Sequence, residues 1–298
     1  MRRVLIAGGS GQIGSALISS APSQYEIYAP DSDYLDITSS ESVASAFAEF
    51  RPDVVVNAAA FTAVDKAETE RELAFAVNAE GPAHLARACR LHRAPLIHLS
   101  TDYVFDGTKA SAYREEDEPN PMNVYGESKL RGERQIVGAG IPYLILRVSW
   151  VFSSVGTNFV KTMLRLATRD LVRVVDDQFG TPCSADDIAE ALWRCAARPD
   201  IREGERLLHY SSQPTTTWFG FANAIFESAA SLGIVPSAPR LEPISTDQYP
   251  TAARRPSNSI LDSSRFQALL GVPPPGWHAS LRRVLLAIAE AQARHGVA

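Results

Sequence analysis

Short apolar runs recur through the first half of the chain, at residues 4–7, 25–28, 54–57, 96–100 and 143–148. Each is almost unbroken in hydrophobic residues instead of alternating with polar ones, the pattern of a strand covered on both faces. Longer stretches with apolar residues at helical spacing separate them, such as residues 42–50 and 74–91, the second expected to be interrupted near Gly81-Pro82. Strands alternating with helices imply right-handed crossovers between parallel neighbours. The fold class that follows is α/β, a Rossmann-like, doubly wound parallel sheet.

The rhythm changes after about residue 150. Helical spacing is found at 158–168, 185–197, 218–231 and in a closing helix at 279–293, with Pro- and Gly-bearing loops between them. Two of these loops, 178–182 and 249–259, carry too many specific polar and basic residues to be plain spacers. The expected organisation is a Rossmann-like domain over residues 1–150 and a smaller lobe over 151–298, some of whose segments can return to the first domain.

Composition narrows the function classes. With 45% hydrophobic and 21% charged residues, the 298-residue chain has the make-up of a globular protein able to bury a core. A net charge of −5 argues against a surface for polyanions, so no nucleic acid is expected as a partner. Cys89, Cys183 and Cys195 are widely spaced and odd in number, which suits packing and not a zinc or redox site. No carboxylate or histidine cluster has metal-ligand spacing, so no metal is expected. The apolar run at 4–7 is too short for a signal peptide, and no stretch of 18 apolar residues occurs, so no membrane span and a cytoplasmic location are expected.

Directly after the first apolar run stands Gly8-Gly9-Ser10-Gly11-Gln12-Ile13-Gly14. It fits G-x-x-G-x-x-G from Gly8 and G-x-G-x-x-G from Gly9, the two registers sharing Gly11 and Gly14. Glycines supply positive φ and let the backbone approach a pyrophosphate at a helix N-terminus, which favours anions. Asp31, about 20 residues on, is placed to bind a ribose hydroxyl. Dinucleotide binding by the first domain follows, with preference between NADH and NADPH left open. Asp36, in Leu35-Asp36-Ile37, reads on its own as an N-cap for the next helix.

Tyr125-Gly126-Glu127-Ser128-Lys129 puts a tyrosine and a lysine at i, i+4, on one face of a helix. Hydride addition to a ketone builds negative charge on oxygen, so a placed proton donor lowers the barrier. A phenol with a free pKa of about 10 becomes an effective acid–base group when an ammonium favours its anion. Lys129 would supply that cation. Thr101, at the end of the fourth apolar run, is placed to hold the carbonyl. The competing reading is a tyrosine and a lysine exposed on a helix surface.

Other residues carry weaker signals. Trp150 follows the fifth run and could cover a sugar ring or pack between the two parts of the chain. Arg254-Arg255 could bind a phosphate or be solvated. His98, inside an apolar strand with no acidic neighbour, reads as a core histidine. The run Glu115-Glu116-Asp117-Glu118 reads as a solvated loop.

Several long motifs, in order, resemble the dTDP-4-dehydrorhamnose reductase family of the extended short-chain dehydrogenases. They are the glycine loop with Gln12, residues 57–68 (NAAAFTAVDKAE), 99–107 (LSTDYVFDG), 123–126 (NVYG), 158–167 (NFVKTMLRLA) and the loop at 253–258. The resemblance implies NAD(P)H-dependent reduction of the C4 ketone of dTDP-4-dehydro-L-rhamnose. It implies that Thr101, Tyr125 and Lys129 are catalytic. Gly11, Gln12, Ile13, Asp36, Ile37, Ala60, Phe61 and Thr62, with Tyr125 and Lys129, would contact the cofactor. Thr101, Asp102 and Trp150 would meet the dTDP-sugar, to which Arg254 adds a phosphate ligand. Cys183 and Ala252 depart from the family pattern, which expects threonine and proline there. Some relatives resemble a metal-bridged dimer that needs a glutamate where this chain has Ala16, so a monomer or weak homodimer is expected.

Other classes make distinguishable demands. A dehydratase would want Asp-Glu after the threonine, but Thr101-Asp102 is followed by Tyr103. Another nucleotide-sugar ketoreductase would share every motif of the site, an epimerase would hold its cofactor tightly, and a regulatory subunit of the same fold would bind a synthetase and turn nothing over.

Overall fold

The structure, a computed structural model, describes residues 1–202 and 204–295. Six parallel strands form the main sheet: β1 (Arg2–Ala7), β2 (Tyr25–Tyr28), β3 (Val54–Asn57), β4 (Leu96–Thr101), β5 (Tyr143–Val148) and β6 (Glu205–Tyr210). Their order is β6-β5-β4-β3-β1-β2, so the direction of winding reverses between β1 and β3. In a doubly wound sheet that reversal opens a crevice at the carboxyl ends of the strands. Helices α1 (Gln12–Ser19), α2 (Ser40–Phe50), α3 (Gly81–His92), α4 (Val124–Val137) and α6 (Ala185–Ala197) flank the sheet; α5 (Phe159–Leu166), α7 (Trp218–Ser231) and α8 (Trp277–His295) lie in the later lobe.

The unbroken apolar runs have the cause assigned to them. Alternate residues of one strand face opposite cores: Val4, Ile6, Val54 and Val56 pack with Leu17, Ile188 and Leu192, while Leu5 and Val55 pack with Phe47, Leu85 and Cys89. A third core, built on Phe152, Val160, Phe221, Ile225 and Leu281, belongs to the lobe. The chain after residue 150 does return to the sheet. β6 pairs with β5 from Glu205 opposite Tyr143 to Tyr210 opposite Val148, and α6 covers one face.

Residues 74–91 need a correction. The chain is helical from Arg71 through His92, and its middle, Ala76–Glu80, is a π turn, not a break at Gly81-Pro82. Pro82 has no N–H to offer the carbonyl of Asn78, four residues back, and the helix widens there without ending. That freed carbonyl packs against Gly132 of α4, where any Cβ would collide with it. In the acidic run Glu116 and Glu118 are exposed as expected, and Glu115 and Asp117 need correction. Glu115 is largely buried and accepts from the His209 amide at 3.0 Å, and Asp117 holds Lys109 at 2.5 Å. Glu115 fastens the loop to β6, and Asp117 closes the loop on itself. Cys89, Cys183 and Cys195 are all buried free thiols.

A buried ion pair ties α4 to the sheet. Arg147 of β5 grips Glu133 of α4 through Nε at 2.9 Å and Nη2 at 2.7 Å, with Ser100 of β4 donating to the same carboxylate at 2.5 Å. Removing one partner of such a pair strands the other charge in the core, at a cost of about 3–5 kcal/mol. Arg147→Ala is therefore expected to lower the urea midpoint, read by circular dichroism, by an amount equivalent to about 3–5 kcal/mol. A midpoint equal to that of the parent protein would contradict the assignment.

Candidate active site

The loops leaving β1, β2, β3, β4 and β5 carry the residues singled out in the sequence, and all five open on the same edge of the sheet. Gly8 begins the first loop with φ of +80°, and a Cβ there would run into the backbone of Ala58 and Ala59. Of the four loop glycines it alone needs positive φ; Gly11 caps α1 with φ of −72°, and Gly14 is required by its approach to the Gly8 carbonyl. No side chain caps α1 and no acidic residue occupies its first turn. Its free amide groups and the cradle under Gly8 fit a dinucleotide pyrophosphate. Gln12 accepts from Asn158 at the start of α5 at 2.9 Å, so the phosphate loop is joined to the lobe.

The second loop differs from expectation in one detail. Asp36 does not cap α2; it receives the Thr38 amide and hydroxyl at 2.9 and 2.7 Å, and Ser39 caps the helix through the Ser42 amide at 3.2 Å. Asp31 and Asp36 are both exposed, with Ile37 buried between α2 and Gly81. In the third loop the amide of Phe61 donates to Asn78 Oδ1 at 2.8 Å. Asn78 Nδ2 returns bonds to the Phe61 carbonyl and to Ser128 Oγ, each at 3.0 Å. The sequence reading missed Asn78. Its only signal was one polar residue within an apolar helical stretch, and the π turn is what aims it at Ala60-Phe61-Thr62.

Tyr125 and Lys129 are buried, at 9% and 2% exposure, which excludes the surface reading. Asn123 caps their helix through the Gly126 amide at 2.8 Å, and its Nδ2 donates to the Arg254 carbonyl at 2.8 Å. The Tyr125 hydroxyl lies near that of Thr101, and burial pushes its pKa up to about 12 against the pull of that neighbour. The expected lowering by Lys129 is absent here. The lysine donates to the Leu99 carbonyl at 2.6 Å and lies 3.4 Å from His98 Nε2. Burial brings its own pKa down to about 8. His98 is a core histidine as expected, yet it touches Lys129.

Asp102 is 1% exposed; its Oδ1 accepts from Thr101 at 3.0 Å, whereas Oδ2 has no hydrogen-bond partner. Burial raises its pKa to about 6, against the pull of the nearby Ser259 and Thr101 hydroxyls. Trp150 donates from Nε1 to Ser259 at 3.2 Å and stacks on Trp218, with ring centroids 3.5 Å apart. The loops at 178–182 and 249–259 pair with each other beside it, Phe179 and Ser257 to Ser259 exchanging backbone bonds at 2.8 Å. Arg255 is committed to Asp65 at 2.9 Å, while the Arg254 side chain is exposed. Trp150 thus lies against the two paired loops, and Arg254 stands on the second of them with its carbonyl held by Asn123.

If the loop holds a pyrophosphate as its shape suggests, Gly8→Ala introduces backbone strain of about 1–3 kcal/mol and closes the cradle. Calorimetric titration should then show NADPH affinity reduced about tenfold or more. Unchanged affinity would remove the loop from cofactor binding.

Comparison with known proteins places the chain. Residues 1–290 match the family described as RmlD substrate binding domain. The dTDP-4-dehydrorhamnose reductase of Aggregatibacter actinomycetemcomitans is 42% identical over 289 residues, spanning 95% of this chain and 98% of the relative. That of Escherichia coli K12 is 40% identical over 291 residues, spanning 95% and 96%. Among solved structures, dTDP-4-dehydrorhamnose reductase from Bacillus anthracis in complex with NADP superposes with a TM-score of 0.89 at 36% identity, covering 96% of this chain and 100% of the other.

Proposed function

The chain belongs to the RmlD family of dTDP-4-dehydrorhamnose reductases, and we infer from that membership that it reduces the C4 ketone of dTDP-4-dehydro-L-rhamnose to dTDP-L-rhamnose with NAD(P)H. This is the last step of dTDP-rhamnose synthesis. The observation that carries the mechanism is the burial of Tyr125 beside Thr101, one helical turn from the buried Lys129. The main sheet takes the dinucleotide along Gly8, Gly11, Gln12, Ile13, Gly14, Asp31, Asp36, Ile37 and the 60–62 loop. The lobe after residue 150 takes the dTDP-sugar, with Trp150 against the sugar and Arg254 toward a phosphate.

Bound reduced nicotinamide supplies the hydride that the ketone carbon receives. Thr101 orients the carbonyl oxygen toward Tyr125. Reduction needs an acid in its protonated form, and burial keeps the Tyr125 proton in place at neutral pH. As the alkoxide develops, Tyr125 donates that proton, and the tyrosinate left behind is stabilised when Lys129 is an ammonium. Asp102 and Trp150 fix the sugar so that the carbonyl stays within reach of the hydroxyl.

Tyr125→Phe keeps the ring and removes the proton donor. Turnover of dTDP-4-dehydrorhamnose, followed as NADPH oxidation, should fall about 10²- to 10⁴-fold with cofactor affinity almost unchanged. A variant turning over at the parent rate would overturn the assignment.

The reading extends to a monomer or weak homodimer held without metal. Ala16 is buried against the sheet and brings no oxygen ligand to the surface. No helix among the described residues is long and apolar enough to cross a membrane. Sedimentation velocity should give the same species with and without EDTA; dissociation on chelation would count against the proposal.

A further inference from the structure

Two buried histidines lie beside cations, and their surroundings dictate opposite tautomers. His209 is bonded through Nδ1 to the Tyr113 carbonyl at 3.1 Å, so Nδ1 carries the proton and Nε2 accepts from Arg147 Nη1 at 3.3 Å. That arrangement suits a permanent cation. His98 is held the other way. Asn57 Oδ1 already receives the Ala59 amide at 3.1 Å, so the side-chain amide turns Nδ2 toward His98 Nδ1 at 3.0 Å. An amide N–H can only be met by a bare ring nitrogen, and the single proton of the neutral imidazole is then on Nε2. Burial and the neighbouring lysine both disfavour a charged imidazole, so a second proton on Nδ1 is excluded.

Nε2 faces Lys129 Nζ at 3.4 Å. An ammonium has three donors and no lone pair, and would present N–H to N–H. A neutral amine donates to the Leu99 carbonyl, 2.6 Å away, and accepts from His98. We propose that His98 is a positioning residue for Lys129, with Asn57 fixing the ring so that Nε2–H faces the lysine and only the unprotonated amine completes the contact. The contact thereby favours release of the lysine proton and holds the amine on β4, so the cation beside Tyr125 is lost as pH rises through about 8.

The other groups around Lys129 do not supply this effect. Glu133, one turn along α4, favours the ammonium, but its carboxylate is shared between Arg147 of β5 and Ser100 of β4. Tyr125, one turn back, is kept protonated by burial. From β4, His98 and the Leu99 carbonyl meet the amine directly, and of these His98 alone brings an N–H. Burial lowers the lysine too, and it is the influence from which His98 must be separated.

The proposal rests on the reading of Lys129 as catalytic, but its test does not use turnover. In the cofactor-free protein labelled with ¹⁵N-histidine, long-range ¹H–¹⁵N spectra should show His98 as the Nε2–H tautomer across neutral pH. An Nδ1–H tautomer would overturn the proposal on the unaltered protein, whatever any variant does. Lys129 is one of only four lysines, so ¹³Cε-lysine spectra can follow it, with Lys129→Arg identifying its signal. In the parent protein the signal should titrate near pH 8. In His98→Phe it should move up by about one pH unit, because the amine has lost its donor and the ammonium its opposing N–H. Apolar burial alone predicts the reverse. A titration that stays put or falls in the folded variant would refute the role of His98. Loss of activity in Tyr125→Phe would be unaffected by either result, so failure of this inference and failure of the catalytic assignment are separable.

Discussion

The pairing of Glu133 with Arg147 inside the protein sets where α4 can lie, and almost everything chemical is measured from that helix. Tyr125, Lys129 and Glu133 follow one another at four-residue intervals along one face. Once the last is locked to β5 and to Ser100, the first two must project over the carboxyl ends of β4 and β5. The ion pair is shielded from water, so screening by salt does little to loosen it. Its bidentate geometry also fixes rotation about the helix axis, which a single apolar contact would leave free.

A second constraint comes from the π turn in front of α3. By turning Asn78 inward it joins the third loop to Ser128, which lies between the two reactive side chains on α4. The loop after β3 and α4 are therefore registered to each other through one buried amide. Gly132, where the two helices approach most closely, makes that registration possible.

The sheet and its flanking helices were readable in the sequence because burial on both faces leaves an unmistakable mark on composition. The runs 25–28, 54–57 and 143–148 and the helices 185–197 and 218–231 have the bounds expected of them. The π turn was legible only as an irregularity near Gly81-Pro82: the missing amide of Pro82 marks the place, whereas packing against α4 decides that the helix widens without breaking. The Tyr125 and Lys129 pair was legible from its spacing, but its protonation was not: spacing says that two groups share a face, whereas desolvation and the partners of Lys129 decide which carries a proton. Asp36 shows a related limit. An Asx turn and a helix cap draw on the same residue types, and the choice was settled by Ser39, three residues further on.

Trp150 has a backbone φ of +44°, in a region that disfavours a bulky side chain, and it is kept there by the stack on Trp218 and the bond to Ser259. Holding a residue of this kind in left-handed geometry costs about 1–3 kcal/mol. Glycine would relieve that strain, and it would also delete the indole itself. Backbone ease and the indole surface consequently pull this position in opposite directions, and a selection for heat resistance alone would drift toward a protein whose main chain is relaxed and whose aromatic wall is gone.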